Sequence, residues 1–159
     1  EPIDLGSHIE QIIRNWEERH PAGEARIAFA RPRKGVAVVM GEPQRLVRVF
    51  ENLIDNAISF SHEGGVVRVL ATRVGNEVII KVEDEGPGVP PDQREIIFRR
   101  FHSDRPSDES FGRHSGLGLA IARTIIEGHD GTITAEDRAD GLPGASFVIR
   151  LPAVDEPSE

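Results

Sequence analysis

Between residues 46 and 83 two apolar patterns follow one another with only the short stretch SHEGG between them. Leu46, Val49, Phe50, Leu53, Ile54, Ala57 and Phe60 recur at the spacing of one helix face. Gly64-Gly65 interrupts, and residues 66–72 and 78–83 then read as strands joined by a VGNE turn. A long one-faced helix leading straight into a hairpin must cover its stripe, and a sheet face is the cover it brings with it.

The flanking segments extend this frame. Residues 5–18 read as a helix, with Ser7 as N-cap, Glu10 completing a capping box, and Ile9, Ile12, Ile13 and Trp16 as its stripe. Residues 26–30 and 36–40 are β-like, with RPRKG as the turn between them. Gly41-Glu42-Pro43 opens the long helix. DEGPGVPPDQ is too rich in Gly and Pro to be regular, and a short helix is expected at 94–101. Residues 102–115 are polar and read as a mobile loop. Residues 116–128 start a helix with Gly128 as its stop. A closing hairpin covers 132–136 and 145–151, and residues 153–159 read as a frayed tail. The order predicts an α+β two-layer sandwich, a mixed sheet with helices on one face, as a single domain over 1–152.

Composition narrows the function classes. A net charge of -8 disfavours nucleic acid or anionic membrane as the main partner. One Trp, no Tyr and seven Phe do not make a base-stacking surface. With no Cys there is no disulfide, thiolate metal site or Cys nucleophile. No run is long enough to span a bilayer. The opening EPIDLGSHIEQ reads as the interior of a longer protein.

Three groups carry possible chemistry. Asn52 and Asn56 stand one turn apart on the flank of the apolar stripe. Asn is a poor helix interior residue, and the pair is either polar trim at the water line or a cation site. An amide oxygen is a hard neutral ligand suited to Mg²⁺, which takes most of its anionic ligands from substrate phosphates. Asp84 ends an apolar strand ahead of Gly86 and Gly88, either as a simple turn or as an acceptor for a ligand amino group, with glycines that admit a flat ring. Gly116 and Gly118 lie where a polar loop becomes a helix, a place that suits phosphate oxygens. That segment is neither a Rossmann fingerprint nor a Walker A loop. The six His show no zinc spacing, and GRHSG is no nucleophile elbow.

Taken in order, ENLIDNAISFS, DEGPGVP, IFRRF, SGLGLAIA and GASFVIRLP resemble the five motifs of the catalytic and ATP-binding domain of sensor histidine kinases. This is the superfamily shared with DNA gyrase, certain heat-shock chaperones and mismatch-repair ATPases, and the resemblance spans nearly the whole chain. It implies the Bergerat fold, a mixed sheet of about five strands backed by three helices with ATP beneath a flexible lid.

Carried over residue by residue, it makes Asn56 the Mg²⁺ ligand with Asn52 assisting. Asp84 becomes the acceptor for the adenine amino group, with Gly86, Gly88 and Phe60 around the base. Phe98 and Phe101 anchor the approach to a lid at 102–115, in which Arg113 and His114 meet phosphate. Gly116, Leu117, Gly118 and Leu119 cradle the phosphates, and Ser146 stands where the family often has Thr, near the adenine and its water.

The sequence departs from the family at Ser59, where many members have a phosphate-binding Lys. Either the missing charge comes from Arg48, Arg100 or Arg113, or the nucleotide is held less tightly. His102 and Ser103 also replace the usual aromatic and Arg. Asn52 occupies the position of the catalytic Glu of superfamily ATPases, and an amide cannot take a proton from water. The resemblance therefore implies transfer of the ATP γ-phosphoryl group to a histidine on a separate dimerisation helix, then to a response regulator. Neither His20-Pro21 nor His62-Glu63 fits the phosphoacceptor pattern. It further implies a monomeric cytoplasmic domain of an inner-membrane kinase. The alternatives are a nucleotide-gated interaction module with weak transfer, and an ATPase.

Overall fold

The computed structural model describes residues 1–20, 26–61, 64–99 and 118–154. Seven strands and three helices alternate along it: β1 (Pro2–Asp4), α1 (Leu5–Arg19), β2 (Arg26–Phe29), β3 (Val38–Met40), α2 (Pro43–Phe60), β4 (Val66–Val74), β5 (Glu77–Glu83), α3 (Gly118–Gly128), β6 (Thr132–Asp137) and β7 (Ala145–Pro152). Five strands form one sheet in the order β2-β4-β5-β7-β6, parallel only between β2 and β4. The mixed sheet expected from the sequence is present.

Strand alternation decides which face is covered. Register sets Val69 opposite Val82, Ile80 opposite Ile149, and Phe147 opposite Ala135. These side chains share one face and join Leu46, Val49, Phe50, Leu53, Ile54 and Ala57 of α2 in a single core. Each fully buried Leu, Ile or Phe contributes roughly 1.5–3 kcal/mol relative to exposure, so α2 is held by its stripe rather than by helix propensity. α3 packs on α2 and β6, and α1 packs on α2.

Several local expectations give way to tertiary contacts. β3 does not form a hairpin with β2; it pairs antiparallel with β1, three residues that had shown no strand signal. Because the chain enters α1 from extended β1, the cap falls on Asp4, whose Oδ1 accepts from the N–H groups of Gly6 and Ser7 at 2.9 and 3.4 Å. Ser7 and Glu10, expected as a capping box, instead accept hydrogen bonds from Arg31, both at 2.8 Å.

Of the helix expected at 94–101, residues 94–99 are described; there two 3₁₀ turns stand instead, Pro91–Gln93 and Ile96–Phe98, after which Arg99 is extended. Gly128 is the last helical residue, but the left-handed residue that stops α3 is Asp130, φ 64°. Gly131 N–H donates to Ile126 and Asp130 N–H to Glu127, the Schellman pattern. The end is tied down beyond Pro152. Ala153 N–H donates to the Asn76 carbonyl at 2.8 Å and Val154 N–H to that of Val38 at 3.0 Å.

His129, just past α3, locks that helix to the start of α2. Its Nε2 accepts from the Glu42 N–H at 3.1 Å, which leaves Nδ1 to donate to the Ile125 carbonyl at 2.8 Å. No helix among the described residues is long and apolar enough to cross a membrane.

Candidate functional site

α2 presents Asn52, Asn56 and Phe60 on successive turns, each half-buried at the edge of the core stripe. Eight residues of helix set the ends of this row about 12 Å apart. Two other segments close on it, one at each end.

At the Asn52 end lies the start of the described part of α3. Asn52 Nδ2 donates to the Gly118 carbonyl at 3.5 Å, and a side chain at 118 would begin 3.8 Å from the Asn52 amide carbon. Leu119 packs against the core. The Ser59 hydroxyl donates to the Asn56 carbonyl at 2.7 Å. Arg48, one turn before Asn52, is exposed.

At the Phe60 end the site is made from backbone. Asp84 follows β5 and is only 2% exposed. Its Oδ1 accepts from the Gly86 N–H at 2.9 Å and the Ala145 N–H at 3.2 Å, and its own N–H donates to the Ala145 carbonyl at 3.0 Å. These two backbone donors orient the carboxylate. A Cβ on Gly86 would stand 2.9 Å from the Phe60 carbonyl oxygen. Only glycine lets this turn approach the end of α2 so closely. Gly88 stands against Gly144, where a Cβ would lie 3.1 Å from the Gly144 carbonyl oxygen.

Asn52, Asn56, Phe60, Asp84, Gly86 and Gly118 are thus gathered along one flank of α2, the candidate cleft, with Gly88 at its margin. Ser146 is not brought in. It pairs with Glu83 and Glu136, and alternation turns its side chain to the sheet face away from α2. Ala145, one position earlier, faces the helices instead. Ser146 Oγ is buried and has no hydrogen-bond partner among the described residues. Arg100, Phe101, the stretch 102–115 with Arg113 and His114, and Gly116 and Leu117 lie outside the described residues.

Phe98 is 5% exposed and meets Phe147 edge-on at 6.2 Å. Arg123 of α3 lies 5.3 Å from the Phe98 ring centre. It donates to Glu95 at 3.0 Å, and that hydrogen bond leads the interactions that raise its pKa above the ordinary arginine value. Two residues at this end escaped sequence reasoning: Arg138, buried at 4% exposure, and Gly144, φ +134°. Nothing in RADGLPG distinguishes a buried Arg from one in a solvated turn.

Residues 41–155 match the family described as histidine kinase-, DNA gyrase B- and HSP90-like ATPase. The chain is 43% identical over 122 residues to the sensor protein ChvG of Agrobacterium fabrum, covering 74% of this chain and 20% of that protein. It is 32% identical over 151 residues to the signal transduction histidine-protein kinase BaeS of Escherichia coli, covering 95% of this chain and 32% of that one. The chain therefore spans between a fifth and a third of the length of these relatives.

Among solved structures, the mycobacterial sensor histidine kinase MprB superposes with a TM-score of 0.80 at 29% identity, over 98% of this chain and 99% of that one. Full-length ShkA in complex with AMPPNP gives 0.80 at 27% identity, over 99% of this chain and 32% of that one. The chain belongs to the histidine kinase-, DNA gyrase B- and HSP90-like ATPase family, as an ATP-binding catalytic domain of the type found in sensor histidine kinases.

Proposed function

We propose that this domain holds Mg-ATP along α2 and presents the γ-phosphoryl group to a histidine on the dimerisation helices of a sensor kinase, from which a response regulator draws it. The observation that carries the reading is the row Asn52–Asn56–Phe60, met at one end by Asp84 and Gly86 and at the other by Gly118. Asp84 would accept the adenine amino group, and Phe60, Gly86 and Gly88 would line the base. Gly118 and Leu119 would offer backbone N–H groups to phosphate.

The donor set fits a divalent ion held mainly by its nucleotide. Among the described residues no three His, Asp or Glu side chains gather to cage an ion by themselves. Asn56, with Asn52 beside it, supplies hard amide oxygens of the kind Mg²⁺ accepts alongside phosphate. Bound there, the ion would neutralise charge on the triphosphate.

Transfer is favoured over hydrolysis because no base stands at the first Asn position. Asn52 cannot accept a proton from water, and Glu51 is exposed and projects about 100° away around the helix. Phosphoryl transfer asks the protein for positioning and charge neutralisation rather than covalent chemistry. The domain would work on the cytoplasmic side of an inner-membrane kinase, as a monomer when separated from the dimerisation helices.

The test joins this chain to its upstream helices and supplies Mg-ATP. Acid-labile phosphate on the helices is the expected result. Steady ADP release from this chain alone, lost on changing Asn52, would replace the kinase reading with an ATPase. Ser59, with its hydroxyl on the Asn56 carbonyl in place of a cation, supports the second reading, a nucleotide-gated interaction module. That reading expects nucleotide binding without acid-labile phosphate.

A further inference from the structure

The connection between β6 and β7, residues 138–144, is organised around a buried cation. Arg138 is 4% exposed. One terminal nitrogen donates to two carbonyls, those of Asp84 and Pro143, each at 3.4 Å, and the other donates to Asp140 Oδ2 at 2.6 Å. Asp140 Oδ1 in turn accepts from the Leu142 N–H at 3.0 Å, and the Gly141 N–H donates to the Arg138 carbonyl at 3.1 Å. A buried guanidinium is costly unless its donors are matched; here both terminal nitrogens find partners, which include the backbone of Asp84, while Nε has none among the described residues.

The geometry ties this cluster to one carboxylate. Gly144 has φ +134°, and a Cβ there would overlap the Asp84 carbonyl oxygen and stand 2.9 Å from Arg138 Cδ. The strand end that carries Asp84 and the loop end that carries Ala145 are therefore in contact, with the guanidinium bridging their carbonyls. The Ala145 N–H, next in the chain after Gly144, is one of the two donors that orient Asp84 Oδ1. Moving Pro143–Ala145 relative to Asp84 would rotate the carboxylate.

We propose that Arg138 is a positioning residue for base recognition: by bridging the carbonyls of Asp84 and Pro143 it aims the Asp84 carboxylate at the 6-amino group of a purine. The inference rests on the reading of Asp84 as the adenine acceptor. Arg138 touches backbone, not ligand. Its contribution is to selectivity among purines rather than to phosphate binding.

Calorimetry on this chain with Mg-ATP and with the Mg complex of purine riboside triphosphate, which has hydrogen at position 6, separates the possibilities. Wild type should prefer ATP. Arg138→Gln should lower ATP affinity roughly tenfold, the scale of a charged hydrogen bond, while the analogue stays within about twofold, and Arg138→Lys should recover part of the preference. Thermal melting of each variant is recorded alongside. If the glutamine variant does not fold, the lysine variant carries the test, with the same selective loss at smaller size. Equal loss for both nucleotides, or no loss for either, overturns the proposal. If wild type prefers ATP, Asp84→Asn abolishes the preference and both Arg138 variants keep it, the Arg138 proposal fails while the Asp84 reading stands. If wild type shows no preference, the Asp84 reading fails and takes the proposal with it.

Discussion

The two ends of the cleft are built differently. At the Asp84 end, a buried carboxylate is held by backbone N–H groups, two close glycine approaches and a buried arginine. At the Asn end, half-buried side chains stand on the flank of α2, where Asn52 makes a long contact to Gly118. The first end is inseparable from the fold. The second rests on a helix that the core already fixes through Leu53, Ile54 and Ala57. Substitutions at the Asp84 end should therefore change affinity and stability together, and those at the Asn end should change affinity alone.

The sharpest break of that contrast is Asn56→Ala. Loss of even an indirect metal support costs 10–100-fold, so removal of a proposed ligand should weaken Mg-ATP binding by at least roughly 100-fold, with the melting temperature nearly unchanged. Calorimetry showing unaltered affinity would remove Asn56 from the metal site. Next comes Asp84→Asn. It should lower ATP affinity by about 10–100-fold, as expected for a hydrogen bond to a charged group, and should also lower the melting temperature because two backbone donors lose a charged acceptor.

Gly144→Ala tests the scaffold without touching a ligand group. A non-glycine residue in that backbone region costs on the order of 1–3 kcal/mol, or about 2–4 °C in melting temperature per kcal/mol for a chain of this size. A variant as stable as wild type would show that the approach to Asp84 is looser than drawn. Ser146→Ala should change ATP affinity by less than about twofold, because alternation turns that side chain from the cleft; a larger loss would return Ser146 to the site.

The smallest effect concerns acid. The Leu142 N–H and then Arg138 hold the Asp140 carboxyl below its ordinary value of 3.8. A depressed folded pKa adds stability that is complete above that ordinary value and is lost as pH falls through the lower folded one. The stability difference between wild type and Asp140→Asn should thus be present at neutral pH, start to decline at about pH 4 and vanish only below the lowered folded value. A difference that persists in acid would place the Asp140 contribution elsewhere than in its charge.

Legibility followed the range of the interactions. The α2 stripe and the 66–83 hairpin were plain because each pattern repeats within the segment that forms it. Boundaries failed where a distant contact decided: Asp4 rather than Ser7 caps α1 because β3 draws residues 2–4 into a strand, and β2 leaves β3 for a parallel partner forty residues away. Asn52, Asn56, Asp84 and Gly86 could be proposed from the sequence because the chemistry they suit is marked by residue type. Ser146 was misplaced by a single position, and in a strand one position exchanges faces.

By itself, then, the sequence specified the layers and the acceptor groups, since hydrophobic period and side-chain chemistry are local properties of the chain. Which groups share the cleft, and what stands behind them, came only with the tertiary structure. Register put Ala145 rather than Ser146 on the helix side, and packing buried Arg138 against the Asp84 carbonyl. A guanidinium in a turn and one inside a protein are written with the same letter; only its neighbours, gathered from 54 residues away, make it part of a site.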